Sequence, residues 1–119
     1  MRILITGING FIGEHLGIEL LKRGHFVTGI GQSRKCKIDN IKIYHEGTVL
    51  DKRLVEKATK NVEIVVHLAA LTAHKDITEN KFITLDFCAS STYSIARRDP
   101  VRQLLCVAYG VVNRCGHWR

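Results

Sequence analysis

No run of about 18 uninterrupted apolar residues, the length a membrane-spanning helix needs, occurs in this chain. The N-terminus has a short apolar strand and a glycine loop where a secretory leader would carry a basic flank and a longer apolar core. A membrane protein and a secreted one are therefore not expected, and the expected compartment is cytoplasmic. Proline occurs once, at Pro100, and neither an internal repeat nor a low-complexity tract is present, which argues against linkers and solenoids. The four cysteines, Cys36, Cys88, Cys106 and Cys115, lack C-x-x-C or metal-ligand spacing. Reduced, partly buried thiols are expected, with no metal.

What is present fits one domain. The 119 residues are 45% hydrophobic and 24% charged, a globular composition with no room for a second, substrate-binding domain. The formal charge of +7 is uneven: residues 1–96 carry 13 Lys+Arg against 10 Asp+Glu, and residues 97–119 carry five Arg against Asp99 alone. That tail has no aromatic stacking platform and no recognisable motif, so a solvated surface is expected and nucleic acid is not.

Apolar patterning alternates between strand and helix. "RILIT" (2–6) reads as a strand buried on both faces, and residues 11–23 place Ile12, Leu16 and Leu20 at helical spacing with Gly24 as a stop. Strands are expected at 25–30 and 41–44, a helix capped by Asp51 through about Lys60, and a fourth strand with its exit loop over 62–70. A long helix over Thr78–Arg98, a fifth strand over 102–109 and an unpatterned end complete the chain. This order predicts an α/β fold, a Rossmann-like doubly wound parallel sheet of about five strands, with residues 1–109 as the domain and 110–119 as an irregular tail.

Gly7, Gly10 and Gly13 follow the first strand and open the first helix. That context is what a dinucleotide-binding fingerprint requires: one glycine for the turn, one where pyrophosphate approaches the backbone, one for close helix packing. The helix N-terminus then offers free N–H groups to phosphate. The expected cofactor is thus a dinucleotide. An NAD site usually sets an acidic side chain about 20 residues on to bind the ribose hydroxyls. Here that position is Gly31, followed by Gln32, Ser33, Arg34 and Lys35. A hydroxyl and two cations suit a 2′-phosphate, so NADP is favoured over NAD; the alternative is that Arg34 and Lys35 form only a solvated loop.

"ILITGINGFIGEHL", with its G-x-x-G-x-x-G spacing, resembles the extended short-chain dehydrogenase/reductase family, the NAD(P)-dependent epimerases and dehydratases. "GTVLD" (47–51) and "HLAA" (67–70) resemble later segments of that family in the right order, so the resemblance covers residues 1 to about 87. It implies cofactor contacts at Gly7, Asn9, Gly10, Phe11, Ile12 and Gly13, with Asp51 beside the adenine and Leu68, Ala69 and Ala70 lining the site. His67 is expected to be structural. A nucleotide-sugar partner belongs to the full-length family, and a homo- or heterodimer is left open.

The family's Tyr-x-x-x-Lys pair is absent: Tyr44 is followed by Thr48, Tyr93 by Arg97 and Tyr109 by Asn113. No catalytic residue is therefore assigned. The expectation is the cofactor-binding portion of a sugar-nucleotide epimerase or dehydratase, catalytically incomplete, truncated or divergent after about residue 87. The alternatives are a non-catalytic NADP-binding regulatory module and a non-functional fragment whose fifth strand leaves an unpaired edge.

Overall fold

The computed structural model describes residues 1–69, 103–108 and 111–114. Its elements are β1 (Arg2–Thr6), α1 (Phe11–Lys22), β2 (Phe26–Gly31), β3 (Ile43–Glu46), α2 (Lys52–Thr59), β4 (Ile64–His67), β5 (Gln103–Ala108) and β6 (Val111–Arg114). The helix expected over Thr78–Arg98 and the cofactor contact expected at Ala70 lie outside the described residues.

The strands form one sheet in the order β3-β2-β1-β4-β5-β6. β1 is central, parallel to β2 and β4, with Thr6 level with both Ile30 and His67. Period-2 alternation divides the strand side chains between two cores. Leu4, Ile30 and Val65 point to one face and pack with Val55 and Ala58 of α2. Ile3, Ile5, Val27 and Val66 point to the other, where Leu16 and Leu20 of α1 cover them. Helices on both faces of a parallel sheet make the fold doubly wound, as the apolar runs imply.

Local chemistry fixes the helix ends. α1 stops at Gly24, whose φ of +82° suits glycine. The Gly24 N–H donates to Leu21 O at 3.0 Å and the His25 N–H to Leu20 O at 3.1 Å, the double closure of a Schellman turn. α2 begins at Asp51, whose carboxylate accepts from the amides of Arg53 and Leu54.

The structure departs from the sequence reading at two strands. β3 runs over Ile43–Glu46 rather than 41–44, because it pairs with the last four residues of β2, Gly31 lying opposite Glu46. As the outermost strand in the order, it leaves His45 and Glu46 part-exposed and exposed. The second departure is β6: Val111–Arg114, within the stretch read as an irregular tail, pairs antiparallel with β5, so the described residues form six strands of the sheet. Ladder hydrogen bonding supplies what four residues of mixed polarity do not signal. The β5 edge, which a sheet of five strands would leave open, is paired. Among the described residues, no helix is long and apolar enough to cross a membrane.

Candidate functional site

The strand order reverses direction about β1, with β2 and β3 to one side and β4 to the other, and the C-terminal ends of these strands open at the same rim. In open parallel sheets ligands bind at such a switch point, in the crevice beyond the strand ends. A cleft of about 260 Å³ lies there. Its wall combines Gly7, Asn9 and Gly10 after β1 with Ile30 to Ser33 at the end of β2, and is completed by Gly47, Val49, Leu68 and Ala69.

The glycine loop is shaped by backbone approach. Gly7 has φ +70°, and a Cβ there would stand 2.9 Å from the Ala69 amide nitrogen. Its N–H donates to Ile30 O at 2.9 Å, and Gly10 N–H donates to Gly7 O at 3.0 Å. A Cβ on Gly13 would come within 2.3 Å of Gly7 O and 2.8 Å of Ile8 Cα, so the first turn of α1 can sit against the loop only without a side chain. Gly10 is the N-cap, and among the described residues no side chain caps the helix. An uncapped helix N-terminus, with its free amides and partial positive charge, is a ready anion site.

Of the residues expected from sequence, Gly7, Asn9, Gly10, Ser33, Leu68 and Ala69 meet in the cleft wall. Gly13 lies behind the wall and supports the loop. Phe11, 80% exposed, and Ile12, 55% exposed, stand on the first turn of α1 outside the wall. Arg34 is exposed next to Ser33, and Asp51 is also outside the wall, its Oδ1 accepting from Arg53 N at 3.0 Å and Leu54 N at 3.3 Å.

Two further groups shape the cleft. Tyr44 on β3 accepts a hydrogen bond from Asn9 Nδ2 at 3.0 Å, and its hydroxyl donates to the Ser33 carbonyl. Burial pushes the Tyr44 pKa up from an ordinary value already far above neutrality, and the protonated phenol is the donor. The only sequence signal for it is a bulky side chain on one strand facing small ones at Gly29 and Gly31 on the next. Thr6 is the second: its Oγ1 accepts from the Ala69 amide at 3.1 Å and lies 2.6 Å from Nδ1 of the buried His67. Burial pushes the His67 pKa down to about 4, so the ring is neutral at ordinary pH. Among the described residues, no cluster of His, Cys, Asp or Glu could hold a metal ion.

Comparison with known proteins places this geometry. The model of the NAD dependent epimerase/dehydratase family matches residues 3–88. UDP-N-acetyl-alpha-D-glucosaminuronate decarboxylase of Bacillus cytotoxicus is 35% identical over 104 residues, covering 79% of this chain and 31% of that protein. The Thermus thermophilus UDP-glucose 4-epimerase, solved in complex with NAD, is 28% identical with a TM-score of 0.68 over 81% of this chain and 32% of that one. The Thermotoga maritima UDP-glucose 4-epimerase, at 22% identity and a TM-score of 0.76 over 89% of this chain and 37% of that one, shares the fold. The chain thus spans about a third of the length of the Bacillus cytotoxicus decarboxylase and less of several other curated relatives. By the family match over most of its length, this chain belongs to the NAD dependent epimerase/dehydratase family.

Proposed function

We propose that this chain is the dinucleotide-binding portion of a nucleotide-sugar epimerase or dehydratase acting in the cytoplasm, and that these 119 residues bind cofactor without carrying the proton-transfer pair. The observation that carries the reading is the cradle at the sheet's switch point. Gly7 and Gly13 remove side chains that would strike backbone, and α1 opens on the cleft without a cap. That arrangement suits a pyrophosphate bound by first-turn amides at Phe11, Ile12 and Gly13. The adenosine end would lie between Ser33 and the Gly47–Asp51 segment, and the far end against Leu68, Ala69 and Ala70. A nicotinamide held there would supply the means to accept and return hydride. What the chain's own residues contribute is binding and orientation.

The proposed cofactor is NADP. Gly31 offers no carboxylate to repel a 2′-phosphate, Ser33 brings a hydroxyl to the wall, and the exposed Arg34 and Lys35 follow it. NAD is the second reading, favoured by the NAD complex of the Thermus thermophilus relative. A nucleotide sugar, and a second subunit, would be met by a longer chain of this family.

Thermal unfolding of the 119-residue chain with no ligand, NAD or NADP tests the proposal. A ligand at about 100 times its dissociation constant stabilises the folded state by about 2.7 kcal/mol. A transition raised most by NADP supports both parts; one raised equally or more by NAD sinks the NADP assignment. A transition that neither ligand moves sinks the cofactor reading.

A further inference from the structure

The end of β2 is where a dinucleotide site usually presents its ribose-binding carboxylate. At Gly31 that space is filled from outside the strand. A Cβ on Gly31 would stand 2.8 Å from Asn9 Nδ2 and 2.8 Å from the Tyr44 hydroxyl oxygen. These two groups are hydrogen-bonded to each other at 3.0 Å, so a side chain at position 31 and the Asn9–Tyr44 contact cannot coexist without one moving.

The same pair holds the segment after β2. The Tyr44 hydroxyl donates to the Ser33 carbonyl. Asn9 Nδ2 also donates to the Lys35 carbonyl at 3.3 Å, and Asn9 Oδ1 accepts the Lys37 N–H at 2.9 Å. Two side chains, one from the glycine loop and one from the neighbouring strand, thereby fix three backbone groups of residues 33–37. Ser33, Arg34 and Lys35 hang from that backbone. Order fixed before binding lowers the entropy cost of gathering them on a ligand.

We propose that Tyr44 is a specificity-determining residue of the cleft: with Asn9 it takes the space of the missing carboxylate and holds the Ser33–Lys37 segment in register for a ribose bearing a 2′-phosphate. This rests on the dinucleotide reading above. Tyr44 acts through the segment it positions, and the discrimination it confers is between two cofactors that differ only at that phosphate.

The test is Tyr44→Phe in the 119-residue chain, which keeps the ring and removes the hydroxyl. NAD and NADP affinities are measured by calorimetry, and amide hydrogen exchange across residues 33–37 is followed without ligand. With two hydrogen bonds lost, NADP affinity is expected to fall about threefold or more and NAD affinity less than about twofold. Exchange at the Lys37 amide is expected to quicken. Unchanged affinities, or losses in equal proportion, overturn the proposal while wild-type binding leaves the cofactor reading standing. A wild-type chain that binds neither dinucleotide overturns both. Gly31→Asp is the companion variant: it should displace the contact and quicken Lys37 exchange as Tyr44→Phe does, and unaltered exchange would show that position 31 and the Tyr44 contact do not compete.

Discussion

Thr6 Oγ1 and His67 Nδ1 lie 2.6 Å apart in the buried centre of the sheet, at the ends of the adjacent strands β1 and β4. The Ala69 amide donates to the same Thr6 oxygen at 3.1 Å, so one hydroxyl joins the imidazole of β4 to the backbone of its exit loop. The pair ties Leu68 and Ala69 to the end of β1, beside Gly7, and so sets one wall of the cleft.

A pH dependence follows. The folded-state pKa of His67 is about 4, below its ordinary value of 6.5, because burial disfavours the charged ring. The unfolded chain takes up a proton below about pH 6.5, whereas the folded chain resists until about pH 4. The contribution of neutral His67 is thus full above pH 6.5 and is lost progressively as pH falls through that window, by about 3 kcal/mol in all. Urea unfolding between pH 5 and 7, above most carboxylate titration, should show midpoints rising with pH. Part-buried His45 is shifted in the same direction, so the difference between wild type and His67→Gln isolates the effect. Parallel curves for the two would mean that His67 binds its proton equally well folded and unfolded, so that burial does not lower its pKa.

Gly13→Ala separates helix propensity from close packing. In an open helix the change would stabilise by about 1 kcal/mol. Here the new methyl would meet Gly7 O at 2.3 Å, a backbone atom that cannot turn aside. The expected result is destabilisation of about 2 kcal/mol or more, with loss of dinucleotide binding. Gly24→Ala is the control: among the described residues nothing lies within 4 Å of the new methyl, and only the φ of +82° resists, which costs about 1–2 kcal/mol without touching the cleft. A neutral or stabilising Gly13→Ala would contradict the loop geometry.

How far the fold could be read from sequence depended on whether a signal was local. The β1–loop–α1 unit was legible because apolar alternation, glycine spacing and the Gly24 stop sit within one short stretch, and Asp51 was legible as a cap for the same reason. β6 was not, since four residues carry too little periodicity and its placement comes from pairing with β5. The Tyr44–Asn9 hydrogen bond was not legible because the two residues are 35 positions apart, and periodicity does not report contacts made by polar tips across strands. The cleft's glycines were therefore readable while the side chains that fill the space beside Gly31 were not.

Asp51 carries a structural role and a proposed ligand role that two substitutions distinguish. Its carboxylate caps α2, so Asp51→Ala should cost about 1 kcal/mol of stability, and Asp51→Ser, which restores an oxygen to the cap, should recover most of it. If Asp51 also flanks the adenine, dinucleotide affinity falls in both variants. Affinity that follows stability, lost with Ala and regained with Ser, would confine Asp51 to the helix end.

Arg34 tests the charge argument for NADP where it is most exposed to failure. The residue is solvent-accessible, adjoins Ser33 in the cleft wall and lies outside the wall itself, so any interaction with a 2′-phosphate must form when ligand arrives. A charge-assisted hydrogen bond of this kind is worth about 1.5–3 kcal/mol, so Arg34→Ala should weaken NADP about tenfold or more and leave NAD unchanged. Because the site is open to water, the difference should shrink as salt rises toward about 1 M, where the screening length is only about 3 Å. Titrations of both dinucleotides at low and high salt provide the measurement. Equal affinities in wild type and variant would make Arg34 a solvated loop residue, and the selectivity of the cleft would then rest on Ser33 and the backbone that Tyr44 holds.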